Sequence, residues 1–396
     1  MTTDVLTQET TPTPESTAST RRIANLTPAR IDALGAELDA LRQRVIDDLG
    51  ERDATYIRRM IRTQRALEIT GRGALFLSFL PPAWLAGVTA LSVSKILDNM
   101  EIGHNIMHGQ YDWMNDPALS SKRFEWDTAS PSANWRNSHN FEHHTFTNIV
   151  GKDRDVGYGV LRMTEEEPWR PAHLANPINA LFLAAFFQWG VALHDLEADR
   201  LVRREITWDK VRHRAKRIRK KALQQASKDY VLFPLLALPI APLVFAGNAT
   251  ANFIRNVWAF MIIFCGHFPD GVEVFTEEET ENESRGEWYV RQLLGSANIR
   301  GGKLFHIMSG NLSHQIEHHL FPDIPACRYA EMAPEVQAIC ARYGLRYNTA
   351  GLGRQFGTVV RRIFRLALPT PKRTRPASAQ PATAAVTPAA ESRAAA

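Results

Sequence analysis

The sequence predicts an all-α integral membrane protein with about four transmembrane helices, arranged as two hairpins with a cytoplasmic helical cap. Three observations lead to this fold class. Several uncharged stretches approach the roughly 20 residues that a helix needs to cross a bilayer. A strongly basic block lies between them, and basic loops mark the cytoplasmic side of membrane proteins. Eight of the 13 histidines fall in three short runs, which can meet only on one side of the membrane.

The two ends of the chain differ in composition from the part between them. Residues 1–25 are rich in Thr, Pro, Ser and Glu, and residues 369–396 are rich in Pro and Ala. Such segments cannot bury enough apolar surface to order themselves, so we predict two disordered tails. The first tail has no basic region leading into an apolar core, which excludes a secretory signal peptide. The tails also dilute the mean hydropathy, which is -0.25.

Residues 26–65 are expected to form amphipathic helices on the cytoplasmic side. Apolar residues recur at helical spacing from Thr27 to Leu49, and Gly50 is a natural stop. The next segment, Tyr56 to Arg65, is rich in Arg, as the cytoplasmic flank of a membrane helix tends to be. We therefore expect the chain to enter the membrane from the cytoplasm after residue 65.

The membrane domain is expected to cover residues 66–347. It begins with 22 uncharged residues between Arg72 and Lys95, which are divided by Pro81-Pro82. We interpret this Pro pair as the turn between two crossing helices, near residues 66–80 and 83–102. A single crossing would place the first histidine run outside the cell. The first helix is short, at about 22 Å against a hydrocarbon core of about 30 Å.

Three further apolar stretches follow, near residues 178–194, 231–247 and 250–268. Three crossings would again separate the histidine runs, so we expect the first stretch, of about 16 residues, to lie in the membrane interface. The other two would form the second hairpin. Residues 348–368 would be a cytoplasmic C-terminal segment. The active site and both termini would then face the cytoplasm of a cell-membrane protein.

The block from Arg200 to Lys221 contains 11 Lys and Arg residues and indicates the cytoplasmic side. Some of these cations could instead bind the phosphates of a substrate. The net charge of +5 is small for 396 residues and does not indicate a nucleic-acid partner. Three cysteines without a Cys-x-x-Cys pair indicate a reducing compartment and no iron–sulfur site.

The three histidine runs, at residues 104–108, 139–144 and 314–319, predict a metal site. Residues four apart share a face of a helix, so each run can direct imidazoles at one small volume. Imidazole suits iron, copper, nickel and zinc. Four ligands would fill one tetrahedral zinc site, whereas eight or nine imply two metal ions. His267 is a ninth candidate, because a His at membrane depth is a functional candidate by default.

These runs resemble the three histidine boxes of the membrane fatty-acid desaturases, and the resemblance extends over about residues 66–347. Order, spacing and a trailing Leu-Phe-Pro all match. Within that family the chain is similar to the actinobacterial acyl-CoA desaturases of the stearoyl-CoA type. The matching segments are His104-Asn105-Ile106-Met107-His108, His139-Asn140-Phe141-Glu142-His143-His144 and Gln315-Ile316-Glu317-His318-His319-Leu320-Phe321-Pro322.

The resemblance implies two iron ions, an acyl tunnel and O2-dependent insertion of a cis double bond into a long-chain acyl group, here expected to be an acyl-CoA. Many family members have His where Gln315 stands, whereas helical spacing favours His314, four residues before His318. Both positions therefore stay candidates. The candidate ligands are His104, His108, His139, His143, His144, His267, His314, Gln315, His318 and His319.

The chain carries no recognisable electron-transfer domain, since it has no His-Pro-Gly-Gly haem signature, no iron–sulfur cysteine set and no Gly-x-Gly-x-x-Gly. Electrons are expected from a separate NAD(P)H-dependent reductase, with or without a ferredoxin or cytochrome, docking on the basic block. One alternative is a lipid hydroxylase on the same scaffold, which product analysis would separate. The other is a non-enzymatic metal-binding membrane protein, which iron-dependent product formation would exclude.

Overall fold

The computed structural model describes residues 26–370, and these residues are mainly helical, in agreement with the predicted fold class. The predicted tails lie outside the described residues, apart from positions 369–370. Prediction missed a small parallel sheet, in which Asn298–Arg300 (β1) pairs with Thr349–Gly351 (β2). Among residues 26–370, the α-helices of eight residues or more are α1 (Pro28–Asp47), α2 (Glu51–Leu75), α3 (Pro81–Ile96), α4 (Asn176–Ala185), α5 (Phe187–His194), α6 (Trp208–Ser227), α7 (Ala241–His267), α8 (Arg285–Leu294), α9 (Tyr329–Tyr343) and α10 (Leu352–Ala367).

Helix α1 is amphipathic, as the spacing of its apolar residues predicted. Its apolar residues Leu34 and Leu38 are fully buried. They pack in one apolar core with residues of α8 and α9 and with Ile316 and Leu320, which belong to the third histidine run. Helix α1 therefore supports that run. We call α1, α8, α9 and the third histidine run the cap.

Helices α2 and α3 form the first hairpin, and its turn covers residues 76–80. The predicted turn at Pro81-Pro82 is displaced, because both prolines open α3. Proline is favoured there, since the first helical N–H groups have no intrahelical partner. The two helices touch at Gly71, where an added Cβ would lie 2.9 Å from the backbone nitrogen of Leu91. The hairpin thus depends on the absence of a side chain at Gly71.

The second hairpin differs from the predicted one in its boundaries. The stretches 231–247 and 250–268 were predicted as separate helices, but Ala241–His267 is one helix of 27 residues. Gly247 does not interrupt it, because the missing side chain makes room for Leu75 of α2. The turn lies instead at residues 237–240. Helix α6 leads into it through a π-helical turn, Lys228–Leu232, and the short helix Phe233–Leu236.

The apolar stretch at 178–194 is divided between α4 and α5 by a bend of 103°. Within residues 26–370, α7 is the one helix long and apolar enough to span a bilayer alone, and the bent pair would be a second if it formed one span. Whether this pair lies in the interface stays a prediction. The bend does exclude a straight crossing helix over 178–194.

A buried ion-pair cluster joins the two hairpins. Asp229, in the π-helical turn before the second hairpin, accepts hydrogen bonds from Arg72 at 2.8 Å and from Lys95 at 2.7 Å, and all three side chains are buried. Asn248 of α7 accepts a further hydrogen bond from Arg72. The charge of Arg72, unexpected in a crossing helix, is therefore compensated across the two hairpins.

We expect Gly71→Ala to lower the thermal unfolding midpoint, because the added Cβ would collide with the backbone of α3. Overpacking of this kind typically costs about 1–3 kcal/mol. The matched control is Gly73→Ala in the same helix, where nothing lies within 4 Å of the added Cβ. Ala has the higher helix propensity, so the control should unfold no earlier than the wild type. Thermal unfolding in detergent measures both, and equal midpoints would contradict the close packing.

Candidate metal centre

π-Helical backbone ends at His104, the start of the first histidine run, and contains His139 and His143 of the second run. Residues Leu97–His104 extend α3, and residues Arg136–His143 follow the short helix Ser132–Trp135. In a π-helix, hydrogen bonds join residues five apart, so residues four and five apart come to the same side. The rings of His143 and His144 can therefore both lie on the same side of the backbone as the ring of His139. In an α-helix, His144 would be rotated about 100° from His143. Such turns occur frequently at functional sites.

The remaining histidines reach the same volume from two other elements. His318 and His319 lie on the short helix Gln315–Leu320, and both are fully buried. His267 is the last residue of α7. The two hairpins and the cap thus each contribute rings to one cluster.

The ring nitrogens of the cluster fall into two adjacent sets, and within each set the nearest nitrogens lie within 4.8 Å of one another. His144 forms a third such group with His318 and His319, so it connects the two sets. The first set is His104, His108, His139 and His318, and the second is His143, His267 and His319.

Many of these nitrogens are buried without a hydrogen-bond partner among residues 26–370. This applies to Nε2 of His108, His139, His143 and His318 and to both nitrogens of His144. Buried polar atoms nearly always have a partner in folded proteins, so several unpaired atoms in one place require an explanation. A metal ion bound by the lone pairs of the rings would supply it.

The opposite nitrogen of most of these rings is held by a neighbouring side chain. Nδ1 of His143 lies 3.0 Å from Asp153, Nδ1 of His139 lies 3.4 Å from Asp155, and Nδ1 of His319 lies 3.0 Å from Gln292. A carboxylate or amide oxygen is an acceptor, so it places the proton on Nδ1 and leaves the lone pair on Nε2. Metal-binding histidines are commonly oriented in this way.

Sequence reasoning missed these supporting side chains. Asp153 and Asp155 could have been found, because they follow the second run closely and carboxylates commonly pair with metal-binding histidines. Gln292 lies on α8, and Tyr329, whose hydroxyl is 3.4 Å from Nδ1 of His318, begins α9. Gln292 is 27 residues and Tyr329 is 11 residues from the ring that each contacts, and no local pattern marks either.

The environment of most rings favours the neutral form that binds metal. Burial lowers the pKa of His139 and His144, and for His144 the neighbouring imidazoles of His319 and His108 lower it further. The pKa of His143 is raised overall, because the carboxylate of Asp153 outweighs the effect of burial. Protonation would therefore compete with metal binding more at His143 than at His139 or His144.

The structure separates the two candidates of the third run. Gln315 lies at the second set, with its amide nitrogen 3.0 Å from Nε2 of His267. Its oxygen is buried and unpaired, and rotation of the amide would exchange the two atoms. His314 points elsewhere, since its ring packs 4.5 Å from the ring of His306. It also precedes the helix with non-helical angles (φ -102°, ψ 56°), so the helical spacing that favoured it does not apply.

A channel lies between the cluster and helices α5 and α7. About 60 Å³ of this space is open to a water-sized molecule, and most of its exposed lining surface is apolar, although Asp155, Asp195 and Arg255 also border it. His104, His139 and His267 border it, so the candidate metal site forms part of its wall. Phe187 and Ile263 are among the apolar side chains further along. Apolar side chains therefore lead up to the cluster on this side.

Comparison with known proteins agrees with this site. The NADPH-dependent stearoyl-CoA 9-desaturase of Mycobacterium tuberculosis is 47% identical over 350 residues, which cover 87% of this chain and 82% of that protein. The sn-1 linoleoyl-lipid 6-desaturase of Synechocystis is 25% identical over 288 residues, or 69% of this chain and 77% of the relative. Human fatty acid desaturase 3 is 27% identical over 287 residues, or 69% and 60%.

The sequence model of the fatty acid desaturase family matches residues 81–351, and this range contains all three histidine runs and His267. The match covers more than half of the chain. Together with the relative from M. tuberculosis, it shows that this chain belongs to the fatty acid desaturase family.

Proposed function

We propose that the protein is a membrane-bound, O2-dependent acyl-CoA desaturase that inserts a cis double bond into a long-chain acyl group of the stearoyl type. The observation that carries the proposal is the set of unpaired imidazole nitrogens in the wall of a mainly apolar channel. The family and the relative named as a stearoyl-CoA 9-desaturase support the reaction and the substrate class.

The eight clustered imidazoles fit two iron ions. The two sets of nitrogens would each hold one ion, and His144 would complete the site between them. Donor sets rich in nitrogen suit iron. Once bound, the ions would supply the oxidising power that O2 needs to attack an unactivated C–H bond. Gln315 would lie beside the second ion, and His314 would not be a ligand.

The overall reaction requires electrons from outside the chain. The acyl group loses two hydrogen atoms from adjacent carbons, O2 takes up these and a further two electrons and two protons, and two water molecules form. The additional electrons would come from a separate NAD(P)H-dependent reductase, directly or through a ferredoxin or cytochrome. The name of the M. tuberculosis relative, an NADPH-dependent enzyme, supports this source.

The side chains of the channel would position the acyl group. Trp135 borders the channel and stacks on His139 with 4.4 Å between ring centroids, so it holds that ring at the channel wall. Apolar walls filled by the acyl chain would also exclude water from the reacting carbons. The acyl chain would lie along α5 and α7, with the carbons to be oxidised beside the cluster.

A pocket beside the channel would bind the phosphates of coenzyme A through its basic residues. Its lining also includes the carboxylates of Glu197, which pairs with Arg214, and Asp209, which pairs with Arg212. Asp195 borders both the channel and this pocket. Lys210, His213 and Arg217 of α6 line the pocket, and none of them forms an ion pair with another residue of the described part of the chain. Arg and Lys side chains are well suited to phosphate oxygens. This use of the basic block was the alternative left open by the sequence.

The positions of the two hairpin turns support two membrane hairpins, although the first leg of the second hairpin is reduced to Lys228–Leu236, because α6 before it carries the basic block. The indole N–H of Trp84 donates to the carbonyl oxygen of Leu243 at 3.1 Å, so the starts of α3 and α7 lie side by side. Phe79 and Leu238, in the adjacent turns, are exposed apolar residues that would face lipid. The histidines lie at the other ends of the same helices, on the side that the basic block marks as cytoplasmic.

Expression in a desaturase-deficient host tests the reaction. With a ferredoxin and an NADPH-dependent reductase supplied, we expect new monounsaturated C18 chains, because the host then provides acyl-CoA, O2 and electrons. Mass spectrometry of the lipids locates the double bond. His108→Ala, which removes one candidate ligand, is the control and should give at least tenfold less product. A hydroxylated chain in place of the alkene would reject the desaturase and favour the hydroxylase.

Metal analysis tests the ligand assignment. The purified protein should contain two iron ions per chain, and one zinc without iron would end the proposal. Gln315→Ala should lower iron content or iron affinity, by about 10- to 100-fold if the side chain acts by supporting His267. His314→Ala should retain both ions, because its ring packs against His306. Loss of iron in the His314 variant alone would reverse the assignment.

A further inference from the structure

A second opening reaches the histidine cluster, and it shares no lining residue with the channel. This opening, here called the cap groove, lies on the surface of the cap and has His144 in its lining. Its walls come from α1, from α8 and from the loop after the third histidine run. The other main lining residues are Arg42, Arg285, Trp288, Pro322 and Asp323.

His144 connects the cap groove with both sets of ring nitrogens. Its ring stacks on that of His319 at 4.5 Å between centroids and lies 4.7 Å from that of His108. The side chain is 5 % exposed, so the cap groove brings the surface to within one imidazole of the cluster. A molecule seated there would be close to the proposed ions without entering the channel.

We propose that the cap groove is the docking site of an acidic one-electron carrier protein that reduces the metal centre. This inference rests on the proposed function, which requires two external electrons in each cycle. The channel is assigned to the acyl chain, so the carrier needs another surface close to the cluster. The cap groove is separate from the channel, because the two openings have no residue in common.

The rim of the cap groove has the composition of a protein interface. The guanidinium of Arg285 lies 4.9 Å from the centre of the Trp288 ring, and Phe141, next to the groove residue Asn140, is 61 % exposed. Trp and Arg are enriched among residues that dominate binding energy. A carrier with carboxylates around its redox group would complement these arginines.

Both arginines of the rim can exchange their present carboxylate partners for carboxylates of a docked protein. Arg42 pairs with Asp323 and Arg285 pairs with Asp39, and the side chains of both pairs are substantially exposed. Exposed pairs contribute only about 0–1 kcal/mol, so replacing the internal carboxylate by one from a carrier costs little. Contacts of this kind weaken as salt increases.

The sequence suggested the basic block from Arg200 to Lys221 as the docking surface. Some residues of this block already form ion pairs within the chain. Arg200 pairs with Glu142 and Glu197, and Lys221 pairs with Glu125. Other cations of the block line the pocket assigned to coenzyme A. The two surfaces can be distinguished by experiment, because no residue of the block lines the cap groove.

The test measures reduction of the iron-loaded protein by two reductants. One is a plant-type ferredoxin, reduced by NADPH and ferredoxin–NADP⁺ reductase, and the other is dithionite with methyl viologen, which needs no docking site. We expect Arg42→Glu with Arg285→Glu to slow reduction by ferredoxin at least tenfold at low salt. The dithionite rate, the iron content and the unfolding midpoint should stay at wild-type values.

The matched control is Arg44→Glu with Arg52→Glu. Arg44 lies on α1 and Arg52 at the start of α2. Both are exposed and pair with exposed carboxylates, Glu335 and Glu331, but they do not line the cap groove. Their reversal should slow ferredoxin less than twofold. A second readout needs no iron: a photoreactive benzoylphenylalanine at position 288 should crosslink ferredoxin in the metal-free protein, and the same group at position 44 should not.

The outcomes separate the docking site from the function. Unchanged ferredoxin reduction in the Arg42/Arg285 variant would overturn the docking proposal. So would slowing that appears only when Arg217, Arg219 and Lys220 are reversed to Glu, since this would place the carrier on the basic block. A wild-type protein that holds no iron reducible by dithionite would overturn the proposed function as well. Crosslinking at position 288, with selective slowing at the cap groove, would support the site.

Discussion

The convergence of two helix ends is the constraint on which the rest of the structure depends. His104, in the π-helical extension of α3, and His267, at the end of α7, can meet only if the two hairpins are packed in a fixed register. Gly247 gives Leu75 the room for that packing, and Asp229 ties the hairpins together through buried charges. Removing one partner of a buried ion pair is strongly destabilising, so loss of Asp229 alone would weaken the contact between the hairpins.

The helices of the cap orient two rings that lie outside the hairpins, those of His318 and His319. Gln292 of α8 and Tyr329 of α9 contact Nδ1 of His319 and His318. Helix α1 packs against both α8 and α9 in one apolar core. A soluble-looking amphipathic helix near the start of the chain therefore supports, through two intermediates, the geometry of histidines some 280 residues later. The cap and the two hairpins therefore hold the histidine cluster together.

The parts of the site that follow from local spacing could be predicted from the sequence, and the parts set by tertiary contacts could not. The three runs and His267 were found because their pattern is local or stands at the end of an apolar stretch. The predicted length of α7 was wrong, because Gly247 is retained in the helix by a contact with α2. The choice between His314 and Gln315 could not be made, since His314 lies outside the helix that its spacing implied. The π-helical turns and the three-residue strands were missed, because neither is long enough to give a periodic pattern.

The unpaired nitrogens are expected to shorten the lifetime of the metal-free protein in a cell. Leaving a buried polar atom without a partner costs roughly 1–3 kcal/mol, and whole proteins are stable by only about 5–15 kcal/mol. A newly made chain that has not acquired metal would carry several such atoms in one cluster. It would open more often and be removed sooner by proteases than a loaded chain. Metal supply would then affect the amount of this protein through its survival, independently of how much is synthesised.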